Sequence, residues 1–213
     1  MIKLAIGEDK LEKKYFAYFG FMAIAIAFLT ISITTSIHAD WFSWTSNALS
    51  DLGALDTKYN QIFNGGLILT GLLGGFFGFG LISYFKNQLS KIGSAFFMIG
   101  MIFLMLVGAF PLETSTDVTA AFLSPHVIFA LISFGFTGLG ILLTGSEGIQ
   151  EGNVLGFITV LIILVLIPIG LWSSINYSGV AIPEMAGFLV FSVFILIYSA
   201  KLGTKGTKGL GIF

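Results

Sequence analysis

The chain has 213 residues, a formal net charge of −1, 56% apolar and 10% charged residues, and a mean hydropathy of +0.97. Soluble domains carry about 25% charged residues, so this balance excludes a soluble globular domain and argues for one membrane domain with no second unit. Cys and Arg are absent, which removes disulfides, thiolate catalysis, Cys-based metal sites and guanidinium clamps, and the lack of a basic patch argues against nucleic acid as a partner.

In chain order, residues 1–14 form a polar N-terminal segment with Lys3, Lys10, Lys13 and Lys14. Apolar stretches follow at 15–37, 62–85, 92–111, 126–144, 154–173 and 182–200, and 201–213 is a Gly/Lys tail. Each stretch is close to the roughly 20 residues that cross a hydrocarbon core as a helix. The expected fold is an all-α polytopic membrane bundle of six transmembrane helices. The first stretch exceeds the about 7–15 residues of a signal h-region, so it is expected to stay as a helix.

Lys residues set the orientation. Four precede the first span, Lys86 and Lys91 join the second to the third, and Lys201, Lys205 and Lys208 follow the sixth; Lys58 alone lies on the other side. Positive charge stays cytoplasmic. Both termini are therefore expected inside, in the cell membrane, and connections 38–61, 112–125 and 174–181 outside.

Polar groups collect on that outer side: His38, Asp40, Asn47, Ser50, Asp51, Asn60, Asn64, Glu113, Asp117, His126, Asn176 and Glu184. No Asp, Glu, Lys or Arg lies near the centre of a span. Ion-coupled carriers place charge there, so the pattern weakens a channel or pump reading. Ser and Thr in the first span (Thr30, Ser32, Thr34, Thr35) are expected to bond back to their own helix.

Within 40–53 apolar residues recur at 41, 44, 48 and 52, with Asp40 as N-cap and Gly53 as stop. This spacing predicts a short helix in the outer interface, anchored by Trp41 and Trp44. Asn47, Ser50 and Asp51 would share its polar face. Asn64 enters hydrocarbon and needs a partner on another helix or on that face. Ser124-Pro125 starts the fourth helix, placing His126 in its first turn with Glu113 nearby in sequence. Glycines at 71/75 and 74/78 give small-xxx-small spacing, read as close helix packing. The same theme recurs at Gly93, Gly100 and Gly108, then at Gly135, Gly138 and Gly140.

The binding candidates are therefore Asn47, Ser50, Asp51, Asn64, Glu113 and His126. For a catalytic site the candidates are Asp51 or His126 as general base, Ser50 as nucleophile and Asn64 as an electrophilic or orienting group, and no nucleophile–base pair stands at a recognisable spacing. No metal or cofactor is implied. The leading expectation is a non-enzymatic membrane protein binding a lipid, a small ligand or a partner membrane protein at its outer face. The alternatives are an outer-leaflet head-group hydrolase or transferase, and a small transporter or channel.

At Ser46-Asn-Ala-Leu-Ser-Asp-Leu-Gly53 the chain resembles the prokaryotic membrane proteins of the domain of unknown function 998 family. The agreement continues at Phe63-Asn64-x-Gly66-Leu67, at Gly108-x-Phe110-Pro111 and at His126. The resemblance implies a compact six-helix bundle and no established reaction. More distantly the chain is similar to the alkaline ceramidase and adiponectin-receptor hydrolases. Their catalytic zinc is held by three histidines, whereas this chain has His38 and His126 alone.

Overall fold

A computed structural model describes residues 2–113, 119, 123–150, 152 and 154–204, with side chains described from Lys14 onward in the first helix. Its helices are α1 (Ile2–Ile37), α2 (Asn60–Tyr84), α3 (Gln88–Ala109), α4 (Pro125–Gln150), α5 (Val154–Asn176) and α6 (Ala181–Thr204), with one 3₁₀ helix, Leu49–Gly53. Among the described residues there is no strand. All six α-helices hold a stretch long and apolar enough to cross a membrane. The chain is a multi-pass membrane protein in a lipid bilayer. Several helices outrun the apolar stretches, because hydropathy marks contact with hydrocarbon whereas the backbone ladder continues into the interface.

Each helix packs on its neighbour in sequence, and α1 packs on α6, so the bundle closes into a ring. Lipid tails are as apolar as Leu, so burial from water does not hold such helices together; close packing does. The centre is an aromatic ladder from α2, α3 and α6. Phe77 and Phe97 have ring centroids 5.9 Å apart, Phe97 and Phe194 5.1 Å, and Phe194 and Tyr198 4.8 Å. All four are buried.

Glycine sets the helix spacing around this ladder. A Cβ on Gly71 would meet Met101 O at 2.6 Å and Met105 N at 2.5 Å on α3. One on Gly100 would meet Thr137 N at 2.7 Å, and one on Gly140 Phe97 N at 2.6 Å. Gly75, Gly135 and Gly138 have nothing within 4 Å at the same point, so only part of the small-residue pattern serves packing. Two of the four hydroxyls expected to bond back to the first helix do so: Thr34 Oγ1 donates to Thr30 O at 2.7 Å and Thr35 Oγ1 to Ile31 O at 2.7 Å.

Segment 38–59 covers one end of the ring. The regular helix expected over 40–53 is not there; the chain makes turns and then the five-residue 3₁₀ helix Leu49–Gly53. The polar side chains of the expected helix have taken over its backbone bonds. Asn47 Oδ1 accepts from Ser43 N at 2.9 Å, and Asp51 Oδ2 accepts from Ala48 N at 2.9 Å. Short polar side chains compete with helical hydrogen bonding in this way. Leu49 and Leu52 then turn inward against Phe63 and Ala181, while Trp41 and Trp44 stay exposed.

Candidate functional site

Segment 38–59 is tied down on every side. Asn64, buried near the start of α2, donates through Nδ2 to Gly53 O at 2.8 Å, and Asn60 Nδ2 donates to Ala54 O at 2.8 Å. Leu55 N donates to Leu112 O at 3.0 Å, and Ala181 N to Asn47 O at 2.9 Å. Gly179 lies so close to the Ser46–Asn47 backbone that a Cβ there would strike Ser46 C at 2.5 Å. The tightest tie is Leu49 N donating to Glu184 Oε2 at 2.6 Å, from the 3₁₀ helix to the first turn of α6.

Below this lid, between α1, α2, α3, α4 and α6, lies a cavity of about 100 Å³. Its polar lining is Thr30, Ser50, Thr70, His126, Ser133 and Glu184. Four rings, Phe63, Phe134, Phe188 and Phe191, line it as well. Ligand sites are of this kind: concave, mostly apolar and set with a few convergent polar groups.

Local chemistry explains each polar position. Ser124 Oγ accepts from Val127 N at 3.4 Å and α4 begins at Pro125, which puts His126 in the first helical turn. His126 is 3% exposed, and its Nδ1 lies 2.9 Å from Phe110 O. A carbonyl only accepts, so Nδ1 carries the proton; in the neutral ring Nε2 is left as an acceptor. Ser133 Oγ donates to Gly100 O at 2.9 Å across the α3–α4 contact. Thr70 is buried, and its Oγ1 has no hydrogen-bond partner among the described residues. A buried hydroxyl without a partner costs about 1–3 kcal/mol.

The sequence candidates divide. Ser50 and His126 line the cavity. Asn47 and Asp51 are joined to each other, Nδ2 to Oδ2 at 3.1 Å, and shape the lid. Asn64 holds the lid by its amide hydrogen, while its Oδ1 is buried without a partner among the described residues. Glu113 is exposed just beyond α3, and Asp117 lies outside the described residues. Asp51, Asn64 and His126 are not hydrogen-bonded to one another. Among the described residues no three of His, Asp and Glu stand close enough to hold a metal ion.

Sequence reasoning placed Glu184 on the rim and did not select it. It is the only Asp, Glu, Lys or Arg within the six expected spans, and that isolation was the signal. Ionisable groups in membrane segments are rare and functional by default. Thr70 and the phenylalanines gave no signal, since Phe is abundant (23 residues) and one hydroxyl in a span is ordinary.

No curated protein and no solved structure matches the chain. The family model described as "Protein of unknown function (DUF998)" matches residues 21–201, from the first membrane helix to the last, and the chain belongs to that family.

Proposed function

We propose that the protein sits in the cell membrane with both termini cytoplasmic and binds a small membrane-borne ligand in the cavity under the 38–59 lid, on the outer side. One observation carries this reading. Glu184 in the first turn of α6, a buried His and a buried hydroxyl without a partner among the described residues, from three different helices, line a single cavity. A bundle that needed only to be stable would fill such a space with apolar side chains. The lysine distribution supports the orientation.

A head-group hydrolase is the weaker reading. It would need Ser50 and His126 in hydrogen-bond reach of each other; both line the cavity, and no hydrogen bond joins them. Absence of charge at mid-span likewise argues against ion-coupled transport.

The test is extraction and mass spectrometry of small molecules and lipids that stay with the detergent-purified protein. Wild type is expected to retain one species in near-equimolar amount. Ala130→Phe, which fills the cavity from α4, is expected to lose it while unfolding at a similar temperature. Equal retention by both proteins would reject the site.

A further inference from the structure

We propose that the cavity selects an organic ammonium ion borne on an apolar chain, and that this amphiphile enters sideways from the bilayer between α4, α5 and α6. The proposal rests on the reading that the cavity holds a ligand, and adds the ligand's charge and its route.

The charge follows from what lines the cavity. Glu184 is its one acid, and it has no Lys. The carboxyl group's bonding partner is the Leu49 N–H. A carboxyl group withdrawn from water stays ionised only beside a counter-charge or a full set of donors; one backbone amide is not a full set, and an ammonium head would supply the counter-charge. The other polar groups are neutral, and the Thr30, Ser50 and Thr70 hydroxyls can turn to accept. His126 spends its Nδ1–H on Phe110 O, and Ser133 spends its hydroxyl hydrogen on Gly100 O. The Ser133 oxygen lone pairs remain for a donor, while the His126 ring also stands against the Val107 backbone. The four phenylalanine rings add surfaces that attract cations within about 6 Å of a ring centroid. A phosphate, sulfate or carboxylate head would meet the Glu184 carboxyl group and ring faces, with a few neutral hydroxyls and no cation to receive it.

The route follows from a second space. A crevice of about 280 Å³ lies between α4, α5 and α6, with Ile163, Ile167, Gly170 and Gly187 in its wall. It runs from Ser174 and Pro183, at the lid end of α5 and α6, toward mid-span. Its α5 wall belongs to the most apolar and least buried of the six spans. Phe134 and Phe191 line both this crevice and the polar cavity. Their ring centroids are 5.5 Å apart, so the pair is the partition between the two spaces. Gly187 makes room for it: a Cβ there would meet Phe134 Cε1 at 2.6 Å. An amphiphile with its head beside Glu184 and its chain in the crevice would pass between these two rings.

The test is a native mass spectrometric titration of the full chain in non-ionic detergent with dodecylammonium, dodecanol and dodecyl sulfate. A one-to-one adduct is expected for dodecylammonium, with affinity at least about tenfold above the other two, the scale of one charge-assisted hydrogen bond. Glu184→Gln keeps an acceptor for Leu49 N–H and is expected to remove that preference. Gly170→Leu projects into the crevice from a position where a Cβ has room, meeting nothing closer than Pro183 at 3.5 Å; it is expected to weaken dodecylammonium about tenfold or more. Equal binding of the three amphiphiles that Ala130→Phe abolishes would overturn the ammonium assignment and leave the cavity standing. Unchanged binding in Gly170→Leu would overturn the lateral seat. No adduct with any of the three would overturn the proposal. If Glu184→Gln does not fold, the wild-type ranking of the three head groups decides.

Discussion

Glu184 Oε2 and Leu49 N are 2.6 Å apart, and this bond joins residues separated by 135 positions. It ties the lid to the last helix, directly above the cavity. Removing the acceptor leaves a backbone N–H without a partner, at a cost of about 1–3 kcal/mol. Glu184→Ala is therefore expected to lower the unfolding temperature in detergent clearly, and Glu184→Gln, which can still accept, much less. Equal losses in the two variants would mean that charge, not the tether, sets stability here.

Asn64 is expected to behave as a structural amide. Its Nδ2 holds Gly53 O, and a Cβ on Gly53 would press on Asn64 Oδ1 and on Phe63 Cδ1, the latter at 2.7 Å. Asn64→Leu should destabilise by about 1–3 kcal/mol, and Gly53→Ala by a similar amount through overpacking. Both are measured by thermal unfolding. Wild-type stability in Gly53→Ala would show that the lid does not sit this close to α2.

Two glycines four residues apart should respond in opposite ways. Gly71→Ala drives a methyl into the α3 backbone and is expected to cost about 1–3 kcal/mol. Gly75→Ala meets nothing within 4 Å and should be neutral, or stabilising by up to about 1 kcal/mol from helix propensity. Unfolding of the pair side by side tests the α2–α3 contact.

That pair also shows where sequence reading stops. Six helices, their order, the start of α4 at Ser124-Pro125 and the bonding need of Asn64 were all legible, because apolar length, N-capping and an amide in hydrocarbon are local signals. The 71/75 spacing named both glycines for packing, and only the rotation of α2 against α3 decides that Gly71 serves and Gly75 does not. The lid was misread as one helix because apolar spacing was weighed without the competing bonds of Asn47 and Asp51. The cavity was not legible: Thr70, Ser133 and Glu184 come from three helices, and nothing local joins them.

The His126 tautomer is open to a direct check. Because Phe110 O only accepts, the Nδ1–H form is expected. Nitrogen-15 NMR of His-labelled protein, with His126→Gln for assignment, should show Nδ1 protonated and Nε2 bare in the neutral ring. The opposite tautomer would break the His126–Phe110 bond and turn Nε2 into a donor.

Orientation is testable because the chain has no Cys, so single cysteines report cleanly. Lys58→Cys lies in the lid and Gln88→Cys at the opposite end, both at exposed positions. A membrane-impermeant thiol reagent is expected to label Lys58→Cys in intact cells, and Gln88→Cys only after permeabilisation. The reverse pattern would invert the topology.

On the proposed function the space under the lid is occupied. A crystal structure of the protein, purified with its own lipids and grown from a lipid phase, tests it most directly. Continuous density is expected from the α4–α5–α6 crevice, past Phe134 and Phe191, to a head within hydrogen-bond distance of Glu184 and of Thr70 or His126. A cavity closed by side chains, or holding only isolated waters, would contradict it.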